Sequence, residues 1–194
     1  MTTPSQRRPG LWIGLFLASS AVIAVLKVSD AIDPATAFIL FAGATGLLIP
    51  YARSLSSKPG TGRAVARYSK GIAVTSLLYV LGLGLAITLD RRMELAGATA
   101  FLVALMPVAP ILGMVWVMGR YLHEEHDEYL RHRAMIASLI GLGLVLSIGS
   151  FWGFLETFGL VPHVPGWWAV PIWAIGMGLG QAWLAWRDKA GGEE

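Results

Sequence analysis

An all-α, polytopic membrane helix bundle of six transmembrane helices, with N-in and C-in termini, is the fold this sequence predicts. Three observations lead there. Hydrophobic residues fill 55% of the 194 positions and charged residues 14%, against about 25% charge in soluble domains. The apolar residues gather in six runs, and one bilayer crossing needs about 20 mostly apolar residues. Lys and Arg concentrate in alternate connections, the bias that orients membrane proteins.

The six runs are residues 11–26, 35–51, 71–89, 96–118, 134–155 and 167–186. The first two are short for a crossing and the other four are of full length. Ahead of the first run stands MTTPSQRRPG, which imitates a signal peptide. The run ends in LKVSDAIDP, without a small-residue cleavage site, so the first helix is expected to be retained. No long polar linker interrupts the chain, so residues 1–194 are expected to form a single membrane domain.

Orientation follows from the basic residues. One side collects Arg7, Arg8, Arg53, Lys58, Arg63, Arg67, Lys70, Arg120, Arg131, Arg133, Arg187 and Lys189, whereas the other holds Lys27, Arg91 and Arg92. The richer side is expected to be cytoplasmic. Trp12, Trp116, Trp183 and Trp186 then fall near the cytoplasmic interface and Trp152, Trp167 and Trp168 near the outer one. The net charge of +3 reflects this topology and gives no reason to expect nucleic acid as a partner.

Within the runs, the tetrapeptide ATAF opens the second and fourth, at 35–38 and 98–101. A parallel duplication of one hairpin would leave this echo, and alanine-rich membrane helices also produce it by chance. Pro107 and Pro110 predict a kink near the middle of the fourth run, because each removes a backbone donor and crowds the preceding turn. Small residues recur at four-residue spacing in the fifth run, at Ala137, Gly141, Gly149 and Gly153, and in the sixth at Gly176 and Gly180. Such stripes let helix backbones touch, so a close contact is expected between these two spans or across a homodimer.

Two groups of polar residues could carry chemistry. The loop RYLHEEHDEYLRHR holds His123, His126 and His132 beside Glu124, Glu125, Asp127 and Glu128. On one helix His123 shares a face with Asp127, so His123, His126 and Asp127 are weak metal candidates. HEEH lacks the histidine spacing of the HExxH motif, however, and no third ligand is evident. The same spacing sets Asp127 before Arg131, the favourable order for helix-surface ion pairs. Glu124, Glu125, Asp127, Glu128 and Arg131 therefore read better as an exposed interaction surface that binds no structural metal. The second group is Glu156 with His163, a carboxylate and an imidazole at the outer boundary. They could serve proton transfer or ligand binding, but read better as a boundary carboxylate snorkelling toward headgroups or as an outer-loop hydrogen bond.

Several activities are disfavoured. The sequence has no cysteine, so thiol catalysis and thiolate metal sites are excluded. No charge lies in the middle third of a run, as a proton pump would need, and no histidine lies within one to ligate haem. No G-x-S-x-G, P-loop or dinucleotide fingerprint occurs. Ser19, Ser20, Ser147 and Ser150 have no intramembrane base beside them. No cofactor is expected.

RYLHEEHDEYLRHR, followed by WGFLETFGLVPHVP and a Trp-rich last run, resembles a group of uncharacterised small bacterial multi-pass inner-membrane proteins of alphaproteobacterial type. These carry an RYL-x-EE-x-DEY loop and a WGFLE element. The resemblance covers about residues 70–187, leaves the first two runs as an addition, and does not include His123 or His126. It implies a shared membrane module in the bacterial cytoplasmic membrane and no particular activity.

The sequence thus points to a non-enzymatic accessory or structural membrane subunit, whose partners are the bilayer and other subunits or copies of itself. The alternative is a small permease or channel for a neutral or apolar solute, with the kinked fourth span at its centre. Reporter fusions test the orientation. Fusions at Lys58, His126 and Glu194 are expected to report the cytoplasm, and those at Asp33, Arg92 and Pro165 the exterior; a swap at any two sites contradicts six spans.

Overall fold

The computed structural model describes residues 9–56 and 62–190, and no strand occurs among them. Arg7, Arg8 and Lys58, which enter the charge bias, lie outside the described residues. The helices are α1 (Pro9–Val28), α2 (Pro34–Thr45), α3 (Leu48–Ser56), α4 (Arg63–Arg92), α5 (Gly97–Glu124), α6 (Glu128–Thr157) and α7 (Ala169–Ala190), with a short 3-10 turn, Gly166–Trp168, before the last. Where the sequence suggests one domain, the chain divides into two compact units, Met1–Glu124 and Glu125–Glu194.

Four stretches are long and apolar enough to cross a membrane: Ala35–Leu55, Arg63–Arg92, Gly97–Glu124 and Glu128–Thr157. The protein is therefore membrane-embedded and helical. The apolar part of α1, Leu11–Lys27, is shorter. In α7, Pro171, Gln181, three glycines and three tryptophans dilute the apolar content.

The stretch Ala35–Leu55 is not one helix. Asp33 starts α2: its Oδ1 accepts hydrogen bonds from the Ala35 and Thr36 backbone N–H groups at 2.9 and 3.0 Å, with Pro34 at the first helical position. The Thr36 hydroxyl, which donates to Oδ2, is the main cause that holds the Asp33 carboxyl below its ordinary value. A depressed carboxylate supports the cap above its unfolded pKa and stops doing so as the pH falls through the folded one. Twelve residues later α2 stops. Pro50 has no N–H and its ring would strike the Gly46 carbonyl, so helical bonding cannot run through. The Thr45 hydroxyl donates back to the Phe41 carbonyl at 2.9 Å, which also favours bending.

Helices α4 and α6 each run 30 residues, about 45 Å at 1.5 Å per residue, beyond the roughly 30 Å of hydrocarbon. The extra length of α4 is residues 63–70, polar in sequence and expected to be a connection. Helix α5 explains why it is helical, because the two pack antiparallel in one register. A Cβ built on Gly71 would sit 2.8 Å from a Val117 methyl, one on Gly113 would meet Thr75 at 3.0 Å, and one on Gly82 would lie 2.6 Å from the Met106 carbonyl oxygen. Carried to the helix ends, that register brings Tyr68 onto Tyr121, with ring centroids 4.7 Å apart, and Arg67 to Glu124 at 3.2 Å.

The prolines of α5 contribute to this seam. Pro110 cannot donate to the Met106 carbonyl four residues earlier. That oxygen is the group facing Gly82, where the missing side chain leaves room for it. Gly84, one turn-half further along α4, receives the Phe38 ring of α2: a Cβ there would lie 1.9 Å from the ring. The first ATAF thus closes onto α4.

In the second unit α6 and α7 touch through Gly141, Gly176 and Gly180. A Cβ on Gly176 would lie 2.7 Å from the Gly141 Cα, and one on Gly180 would lie 3.1 Å from the Ala137 Cα. Gly149 and Gly153, expected to continue this contact, have nothing within 4 Å of their Cβ positions. In the same register they would face Trp168 and Val164, which precede the start of α7. At the other end of the hairpin Arg133 donates to the Gln181 carbonyl at 3.0 Å and pairs with Asp188 at 3.4 Å. The Tyr129 hydroxyl bonds the same carboxylate.

Leucine at Gly82 or at Gly176 would overpack a backbone contact, at a cost of about 1–3 kcal/mol. Thermal unfolding in detergent is expected to show a clear loss for both variants and none for leucine at Gly149, which has room. Equal losses at all three positions would contradict these seams.

Candidate functional site

The end of α6 builds a groove. Helix propagation stops at Phe158, and Gly159 takes the left-handed conformation, φ +72°, which glycine adopts without a Cβ clash. The Leu160 N–H then bonds the Leu155 carbonyl at 2.9 Å and the Gly159 N–H bonds the Glu156 carbonyl at 2.9 Å. This is the paired bonding of a Schellman motif, which turns the chain back across the helix end. The returning segment brings His163 Nδ1 to 2.6 Å from Glu156 Oε1 and offers the Pro162 carbonyl to the Trp152 indole N–H at 3.2 Å.

Between this segment and the two helices lies a cleft of about 400 Å³, in the range of small-molecule sites. Its walls are Val145, Ile148, Trp152, Trp168 and Ile172, and Glu156 also lines it. Gly149 and Gly153 form its floor by leaving two side chains out. The Glu156 side chain is one-third exposed and the His163 ring three-quarters exposed, so the pair meets solvent or headgroups while the walls are apolar. A carboxylate bonded to one ring nitrogen fixes the tautomer and plane of the imidazole. It can orient a hydrogen-bonded ligand. Beside the pair no hydroxyl or thiol is held as a nucleophile, the nearby Thr157 hydroxyl donating instead to the Gly153 carbonyl at 2.8 Å.

The loop residues fall differently from a single exposed helix. The chain leaves helical geometry at 125–127, so His123 and Asp127 do not share a helix face. Asp127 caps α6, accepting from the Tyr129 and Leu130 N–H groups at 2.9 and 3.2 Å. Capping takes it away from the expected pairing with Arg131, which instead lies 3.7 Å from Glu128. Glu124 is held between Arg120, at 2.8 Å, and Arg67. Glu125 is buried; one oxygen accepts from the Asp127 N–H at 3.2 Å and the other has no hydrogen-bond partner among the described residues. Of the expected interaction surface, Asp127 and Glu128 are exposed, Glu124 and Arg131 are half-buried and Glu125 is buried, while His123 and His126 are exposed beside them. Among the described residues no three His, Asp or Glu side chains come together as a metal site.

Of the expected site residues, the structure brings together Glu156 with His163, Gly141 with Gly176, and Gly180 with Ala137. The residues that sequence reasoning missed are the groove walls Val145, Ile148, Trp152, Trp168 and Ile172. Their signal was present in the glycine pair at 149 and 153, whose spacing marks a place where something approaches closely, although not what. No family model, no curated protein and no solved structure matches this chain.

The Glu156–His163 bond is expected to hold the returning segment in place. In a His163→Ala variant, amide hydrogen exchange at Val164 and Gly166 should quicken while exchange around Gly141 and Gly176 stays as it was. Unchanged exchange at Val164 would show that the bond does not hold the segment.

Proposed function

We propose that this protein is a non-enzymatic accessory subunit of a bacterial inner membrane, oriented with both termini in the cytoplasm, which associates with other membrane proteins. The observation that supports this reading most is the disposition of its polar groups. Inside the apolar helices the hydroxyls of Thr45, Thr75, Thr88 and Ser138 each donate to the carbonyl four residues earlier, at 2.7–2.9 Å. Hydroxyls satisfied in this way line no polar path for a solute or a proton. The formal charges lie at helix ends, and the connection from α5 to α6 exposes His123, His126, Asp127 and Glu128. An exposed, mixed-charge connection that carries neither a metal cluster nor a nucleophile suits recognition of a partner.

A second reading, a small permease for a neutral or apolar solute, draws on α4 and α5. The pair carries an apolar recess of about 550 Å³ lined by Gly82, Met106 and Pro110, where the proline denies the helix a backbone donor.

Affinity purification from native membranes separates the two. The accessory reading expects a partner at near-equal stoichiometry, whose recovery falls when Glu128 is changed to Lys and falls further at low ionic strength, where screening is least. Recovery of the chain alone, together with solute flux from the purified protein in vesicles, would replace it with the permease.

A further inference from the structure

We propose that the groove at the end of α6 is a lipid site, which takes an acyl chain of a phospholipid carrying a primary ammonium head group and sets that ammonium on Glu156. The argument begins with size. The groove holds about 400 Å³, and a single turn of α-helix, about 10 Å across and 5.4 Å long, already fills that volume. A partner helix therefore does not fit, whereas a slender chain does. The lining agrees: the groove runs along the strip left bare by Gly149 and Gly153. Val145, Ile148 and Trp152 lie on α6, a helix of membrane-crossing length, so the chain that meets this wall first is a lipid's.

Charge selects the head group. Between Arg133 and Arg187 the sequence contains one formal charge, Glu156. It lines the groove with His163 on its Oε1. An anionic lipid would bring a second negative charge to a groove whose lining contains no Lys or Arg. An ammonium brings the opposite charge, and Trp152 and Trp168, a residue type that attracts cations, line the groove. A primary ammonium also donates hydrogen bonds to the carboxylate, which a quaternary ammonium cannot do. The phosphate of a zwitterionic head then lies toward His163, a donor when protonated.

This site does not rest on the accessory reading, since a lipid binds whether or not a protein partner exists. The test uses the full chain in nanodiscs made from equal parts of phosphatidylethanolamine, phosphatidylcholine and phosphatidylglycerol with identical acyl chains. Native mass spectrometry then counts the lipids retained on release. The expected result is one phosphatidylethanolamine per chain, favoured about tenfold over the other two, as one charge-assisted hydrogen bond provides. Glu156→Gln should abolish the preference. Gly153→Leu should displace the lipid by filling the floor, and Gly143→Leu, in open space away from the groove, should leave it bound. Because Glu156 lies at the helix end and partly exposed, E156Q decides the matter even if G153L fails to fold. Equal retention of the three lipids, a preference for the choline or glycerol head, or a preference that survives E156Q would overturn the proposal.

Discussion

Two apolar helices in hydrocarbon gain little by hiding their side chains from it, so their association depends on how closely the backbones come. In each unit this protein meets that constraint with glycine. Gly71, Gly82 and Gly113 set α4 against α5, and Gly141, Gly176 and Gly180 set α6 against α7. The other features follow from these seams. The α4–α5 register carries Arg67 to Glu124 and Tyr68 to Tyr121 at the helix ends, and so turns a polar segment into a continuation of α4. The α6–α7 register runs out where α7 begins, and the groove is what remains beyond it.

The groove and the seam are two outcomes of one sequence pattern. Small residues every fourth position produce contact where a helix lies opposite, as at Gly141, and a trench where only an irregular segment lies opposite, as at Gly149 and Gly153. What separates the two is the position of Ala169, the first residue of α7. Gly159 then determines what closes the trench, because its left-handed turn returns the chain across the helix end and delivers His163 to Glu156.

Much of this was legible in the sequence and some was not, for physical reasons. Four of the apolar runs emerge as helices or helix pairs of membrane-crossing length, since length and apolarity are local properties. The run through residue 51 divides because Pro50 denies a donor inside an otherwise apolar stretch, a detail that counting hydropathy averages away. Residues 63–70 look like a connection by composition, and their helicity is supported by a partner helix that no local window contains. The pairing of Gly141 with Gly176 follows from spacing. The openness at Gly153 does not, since it depends on where the opposing helix starts. Glu156 and His163 could be named as neighbours in sequence, but their hydrogen bond depends on a turn at Gly159. Asp127 was read as a partner for Arg131, and its place at the head of α6 gave it the capping role instead.

The α4–α5 seam also limits how the first unit can move. Its three close approaches share one register, so a slide of α4 along α5 would crowd Val117 at Gly71, the Met106 carbonyl at Gly82 and Thr75 at Gly113 at the same moment. Shear between packed helices, a common way for membrane proteins to change shape, is blocked here by steric contact at several heights. Rearrangement is left to pivots at the ends of elements. The joint between α2 and α3, where helical bonding is interrupted, is one such end, and Phe38 seated on Gly84 ties α2 to α4 beside it.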